Sequence, residues 1–154
     1  MKPLLLDTCA LLWLGGSPER LTAATRTMIE EANFLYASPV SIWEITLKHR
    51  LGKLKLSLPP EEWFDVLKDA YGFSLLPLDR NVMVKAAQLP LFHRDPADRF
   101  LIATAQIHSL DVVTADRRFA QYGITTFDWL VCLAHEGTAC RLESRAAGQG
   151  AEVD

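Results

Sequence analysis

Four acidic residues, Asp7, Glu44, Asp98 and Asp116, stand where an α/β chain would do chemistry. Asp7 ends the apolar run Leu4-Leu5-Leu6, and Asp116 closely follows a second run, Asp111-Val112-Val113-Thr114. Continuous apolar runs of this kind suit the strands of a parallel sheet, which is covered on both faces. Glu44 and Asp98 fall in the predicted first turns of helices. In a parallel sheet the carboxyl ends of all strands share one edge, and helices that follow strands begin there. Asp98 does not directly follow a strand, so this logic places it least directly. Four carboxylates meeting at one edge would repel and raise each other's pKa. A divalent cation resolves that conflict, and sites built from carboxylates and water suit Mg2+ or Mn2+ rather than zinc.

Each acid also has an ordinary use. Ser41-Ile42-Trp43-Glu44 matches a capping box, with Glu44 bonding back to the Ser41 backbone. Asp95 suits an N-cap before Pro96, and Asp98 would then favour the helix dipole. Asp7 and Asp116 could cap the helices that follow them. The set, rather than any member, carries the signal.

Neighbouring polar residues divide in the same way. Thr8, Ser41 and Thr114 are close enough in sequence to hydrogen-bond the acids or a bound water, and are equally ordinary turn and cap residues. Arg99, beside Asp98, could orient a carboxylate, contact phosphate or be a solvated helix residue. Lys48, Arg50 and Lys53 belong to the densest basic run, and Arg117 adjoins Asp116. These could grip a phosphate backbone or form a solvated face. His93 and His49 could touch nucleic acid, but no Cys/His cluster of zinc spacing surrounds them. Trp43 and Trp63 fit helical core positions better than base-stacking platforms.

The elements that must position these residues alternate along the chain. Strands are predicted near 4–6, 34–37, 73–78, 111–114 and 123–127. Helices are predicted over 8–14, 22–32, 39–50, 61–70, 80–89 and 96–108, with a short helix reaching Tyr122. Ser38-Pro39 and Asp95-Pro96 are helix starts, with a capping side chain before a proline. Such alternation predicts a three-layer α/β/α domain whose central parallel sheet has about four to five strands. The domain is expected to span 1–136. From about Gly137 the composition turns to Gly, Ala, Glu and Arg with no face to bury, which predicts a disordered tail over 137–154.

The whole chain, 154 residues with net charge −3, suits one globular domain without a generally basic coat. The start of the chain lacks a signal-peptide pattern and no apolar run is long enough to span a bilayer, so a soluble cytoplasmic protein is expected. Three cysteines, Cys9, Cys132 and Cys140, with no C-x-x-C pair, argue against a disulfide framework. Cys9 is expected to be a small buried residue. Leu11, Leu12, Trp13 and Leu14 suit either core or an interface.

Four blocks of the chain closely resemble the PIN-domain family, and within it the VapC-type toxins of bacterial toxin–antitoxin pairs. They are Leu4-Leu5-Leu6-Asp7-Thr8, then Ser41-Ile42-Trp43-Glu44-Ile45 with Lys48 and Gly52-Lys53-Leu54. The third runs from His93-Arg94-Asp95-Pro96-Ala97-Asp98-Arg99 to Ala105, and the fourth is Val113-Thr114-Ala115-Asp116-Arg117-Arg118-Phe119. The resemblance covers roughly residues 3–127, in order. It implies a metal-dependent endoribonuclease acting on structured RNA of the transfer or ribosomal class. By motif position, Asp7, Glu44, Asp98 and Asp116 would form the acidic pocket. Asp7 and Asp98 would ligate Mg2+, with Mn2+ a possible substitute, and Glu44 and Asp116 would act through water or a second ion. A small antitoxin that blocks the pocket and a homodimer are further family expectations.

Two rivals differ in class. An Asp-nucleophile phosphatase would resemble this opening, but wants a second Asp two positions after Asp7, where Cys9 stands. A non-catalytic PIN-like binding module would keep the acids only for charge.

Overall fold

The computed structural model describes residues 2–128. The expected domain end at 136 and the tail over 137–154 lie outside them. Five parallel strands form one sheet in the order β3-β2-β1-β4-β5, from β1 (Leu4–Leu6), β2 (Leu35–Ala37), β3 (Ser74–Leu75), β4 (Asp111–Val113) and β5 (Thr126–Phe127). Leu4 pairs with Leu35 on one side and Asp111 on the other, so β1 is the middle strand. Both neighbours shield its backbone, and all three of its leucines are fully buried.

Alternation along β1 and β4 divides the interior into two layers. Leu4, Leu6 and Val113 pack with Leu11 and Leu14 of α1 (Thr8–Gly16), Ile45 of α3 (Pro39–Arg50) and Trp63, Phe64 and Leu67 of α4 (Pro60–Tyr71). Ile29 of α2 (Ala23–Glu30) joins this layer. Leu5 and Val112 face the other way, onto Val82 and Ala86 of α5 (Arg80–Gln88) and Leu101 and Ile102 of α6 (Pro96–His108). The result is the expected three-layer α/β/α arrangement. Leu11 and Leu14 are core, while Leu12 and Trp13 pack half-buried against it.

The predicted helices are all present, and Ser38, Asp79 and Asp95 cap α3, α5 and α6 through their side chains. Strands are shorter than the apolar runs suggest. β3 covers only Ser74–Leu75 of the expected 73–78, with the Leu76 N–H still donating to the Ala37 carbonyl at 3.0 Å. Phe73 is buried beside α4 instead, with its ring edge-on to Phe64.

Gly15 near the end of α1 is required by packing. A Cβ there would collide with the indole of Trp63, whose ring occupies that space. In an open helix, Gly→Ala stabilises by about 1 kcal/mol. Here Gly15→Ala is expected to destabilise by about 1–3 kcal/mol, as overpacked cores do. Urea unfolding measures the sign, and a stabilised variant would contradict this packing.

Candidate active site

Asp7 directly follows β1 and caps α1. Its Oδ1 accepts the Ala10 N–H at 2.6 Å, and its own N–H donates to the Val113 carbonyl at 3.2 Å. The end of β1 is thereby tied to the end of β4, and Thr114, just beyond β4, donates its hydroxyl to the Asp7 carboxyl. The Thr114 Oγ1 also accepts the Asp116 N–H at 3.0 Å. One hydroxyl therefore links two of the acids.

Glu44 arrives from α3. Its Oε1 accepts the Thr8 hydroxyl at 2.7 Å, and Lys48 Nζ lies 3.9 Å from Oε2. Thr8 has a single hydroxyl proton, committed to Glu44, so the 2.9 Å contact with Ser41 is a donation from Ser41 to Thr8. Ser41 is fully buried. Thr8, Ser41 and Thr114 thus do hydrogen-bond the acids or one another.

Asp98 and Asp116 meet on a residue that sequence reasoning placed elsewhere. His93 is fully buried, with Nε2 2.8 Å from Asp116 Oδ2 and 3.0 Å from Asp98 Oδ2. Its Nδ1 accepts the Asp95 N–H at 3.2 Å. The His93 N–H donates to the Tyr122 hydroxyl at 2.7 Å, and its carbonyl accepts from Arg99 at 2.9 Å. Among the described residues, His93, Asp98 and Asp116 are the group whose ligand-type atoms all lie within 4.8 Å of one another. The available signal was position: His93 stands five residues before Asp98 in the same block. Nothing in its spacing showed that the ring turns inward.

Electrostatics follow from burial and crowding. Burial raises the Asp7 carboxyl, the Thr114 and Ala10 hydrogen bonds lower it, and Asp98 and Glu44 raise it further, to about 7. Burial also raises Glu44, against the Thr8 hydrogen bond and Lys48, with Asp98 and Asp95 adding to the rise. Asp116 is the opposite case. Burial pushes it up, but the His93 and Arg118 hydrogen bonds prevail and hold it well below the usual carboxylate range. Arg118 Nη2 lies 2.7 Å from Asp116 Oδ2. Burial lowers His93, yet bonding to Asp116 and Asp98 lifts it to about 9. Acceptance from Asp95 requires an unprotonated Nδ1, so the bridging proton sits on Nε2. A second proton, which the acids favour, would face the Asp95 N–H. Burial and the neighbouring Asp7 charge raise the Cys9 thiol, leaving it inert as a nucleophile.

The remaining candidates sort by direction. Glu44 lies in the second turn of α3, not the first, because the N-cap is Ser38 and not Ser41. No capping box forms, which frees the carboxylate for Thr8. Arg99 is buried rather than solvated and orients no acid. Its guanidinium donates to the carbonyls of Pro90, His93, Ala86 and Leu89, closing the turn between α5 and α6. That also leaves it no path to a phosphate. Trp63 is core as expected, but Trp43 is 60% exposed. The inward face of α3 is taken by Val40, Ser41 and Ile45, and Trp43 lies outside it. Arg50, Lys53 and Arg117 are exposed, and Lys48 is half-buried beside Glu44. His49 is held locally, with Nδ1 3.2 Å from the Leu54 carbonyl.

The donor set fits a hard divalent cation. It offers carboxylates and hydroxyls with no thiolate in the set, and the Asp98 charge raises both Asp7 and Glu44, with Lys48 offsetting the rise at Glu44. Asp98 is the leading like charge acting on Asp7, while its own close neighbours in space are His93 and Asp116.

Stability should record this strain. A carboxyl raised from 3.8 to about 7 favours the folded state at low pH, and that contribution is lost as pH climbs through the interval. The metal-free protein is therefore expected to weaken steadily from about pH 4 to about pH 7. Asp7→Asn keeps a cap and removes the buried charge, so at pH 8 with chelator it should be more stable, by about 1–4 kcal/mol. Denaturant titrations at pH 5 and pH 8 measure the difference, and no gain at pH 8 would contradict the buried-charge account.

Comparison with known proteins agrees with this geometry. The PIN domain family model matches residues 4–124. Ribonuclease VapC22 of Mycobacterium tuberculosis (strain ATCC 25618 / H37Rv) is 32% identical over 123 residues, 79% of this chain and 93% of that protein. Among solved structures, FitAcB from Neisseria gonorrhoeae is similar with a TM-score of 0.59 and 26% identity, covering 81% of this chain and 96% of that one. A toxin–antitoxin complex from Klebsiella pneumoniae shares the fold, with a TM-score of 0.55 and 18% identity over 76% of this chain and 90% of its own. A parallel five-stranded sheet, an acid at the end of its middle strand and a match over most of the length lead to one conclusion: this chain belongs to the PIN domain family.

Proposed function

We propose that this protein is a Mg2+-dependent endoribonuclease, the toxin of a toxin–antitoxin pair, hydrolysing phosphodiester bonds in RNA of the transfer or ribosomal class. The observation that carries the reading is the raising of buried Asp7 and Glu44 by burial and by the Asp98 charge at the carboxyl edge of the sheet. Uptake of a cation relieves that crowding of like charge. The named ribonuclease relative supports RNA as substrate, and the Klebsiella pneumoniae complex supports an antitoxin partner. A homodimer and a cytoplasmic location complete the proposal. No helix among the described residues is long and apolar enough to cross a membrane.

In this reading Asp7 and Asp98 would hold Mg2+, with Mn2+ able to substitute, and Glu44 and Asp116 would hold it through water or hold a second ion. When bound, the cation lowers the pKa of a water and neutralises charge that builds on the phosphoryl oxygens. The chain's own residues do the rest. Thr8 fixes the Glu44 carboxylate, whose raised pKa suits it to accept a proton. Asp116, held low by His93 and Arg118, is a poor base and serves to orient. Exposed Arg50, Lys53 and Arg117 would contact the phosphate backbone, with Lys48 nearer the acids. Hydrolysis of this kind leaves a 5′-phosphate and a 3′-hydroxyl.

Cleavage of a fluorescent RNA should require Mg2+ or Mn2+ and stop on chelation. Asp7→Asn and Asp98→Asn should each lower the rate by about 100-fold or more, with unchanged circular dichroism. Full metal-dependent activity in either variant would overturn the ligand assignment. An RNA-binding protein that cleaves nothing at any metal concentration would favour the binding-module reading.

A further inference from the structure

We infer that His93 is a positioning residue for the metal centre, its Nε2–H acting as the tether that holds Asp98 and Asp116 side by side. This rests on the metal-dependent reading above and adds a role for a residue that ligates nothing in it. The two acids come from separate elements, Asp98 from the first turn of α6 and Asp116 from the turn after β4. Left alone, their like charges would drive the side chains apart. A single ring atom removes that freedom, at 3.0 Å from Asp98 Oδ2 and 2.8 Å from Asp116 Oδ2. Carboxylates held before the cation arrives need less rearrangement to bind it, and partners behind metal ligands commonly change affinity 10- to 100-fold.

The surroundings show that the ring is aimed, not merely packed. Its Nδ1 is engaged by the Asp95 N–H at 3.2 Å, which sets the ring plane from the cap of α6. The ring packs nearly perpendicular to that of Phe119, with centroids 6.0 Å apart. The residue's backbone is anchored independently, its N–H to Tyr122 and its carbonyl to Arg99. Arg99 in turn holds three further carbonyls of the same turn. These backbone bonds survive any change of side chain, so the turn should keep its course when the ring is replaced.

That separation allows a test by substitution. Asparagine can imitate Nδ1, accepting from Asp95, but is too short to reach the acids. Glutamine can imitate Nε2, donating to both acids. Mn2+ affinity of the chelator-treated full chain, measured by electron paramagnetic resonance at one pH, should weaken about tenfold or more in His93→Asn. His93→Gln should recover most of that loss, although it carries no charge. Asparagine binding as tightly as the wild type overturns the inference, as does glutamine binding as weakly as asparagine. Wild-type protein that binds no Mn2+ would overturn the metal-dependent reading itself. A measurement without substitution completes the test: the His93 Nε2–H resonance of 15N-labelled protein should stay protected from exchange both with and without Mg2+. Its loss on adding Mg2+ would overturn the inference.

Discussion

Repulsion among carboxylates at the carboxyl edge of the sheet is the constraint on which the rest of the site depends. Burial makes Asp7 and Glu44 harder to ionise, and the neighbouring Asp98 charge adds to both. A chain with no use for such an edge would gain stability by losing it. Its retention in a domain otherwise locally consistent, with capped helices and a sorted two-sided core, marks the edge as the place where stability yields to function.

The fold manages the repulsion with fixed dipoles and one buried imidazole. Asp7 takes a helix N-terminus through the Ala10 N–H and a hydroxyl from Thr114. Glu44 takes the Thr8 hydroxyl, itself oriented by Ser41. Asp98 and Asp116 share His93. The site is thereby graded: Asp7 and Glu44 are raised, and Asp116 is held low by His93 and Arg118. Rigid supports carry each group. Arg99, which touches none of the acids, holds the turn that delivers His93.

Much of the fold was legible because its signals are local. Buried runs such as Leu4-Leu5-Leu6 and Asp111-Val112-Val113 announce parallel strands, and Ser38-Pro39 and Asp95-Pro96 announce helix starts. Where a local pattern had two readings, the longer-range contact decided. Ser41-Ile42-Trp43-Glu44 has the spacing of a capping box, yet the helix begins three residues earlier at Ser38. Trp43 has the chemistry of core, yet the core-facing side of α3 was already filled by Val40, Ser41 and Ile45. Arg99 has the chemistry of a surface residue, yet four carbonyls between Ala86 and His93 take its guanidinium as a buried donor.

By itself the sequence determined the alternation of strands and helices, the caps at Ser38, Asp79 and Asp95, and the acids just past β1 and β4 and in the first turn of α6. Periodicity, capping and chain direction are properties of neighbouring residues, so one dimension suffices for them. Only the tertiary structure decided that His93, rather than solvent, would lie between Asp98 and Asp116, and that Thr8 would serve Glu44 from 36 residues away. Those pairings depend on how α1, α3, α6 and the end of β4 pack around one edge. Which charges share a partner, and so which carboxyl rises and which falls, is set by distance in space.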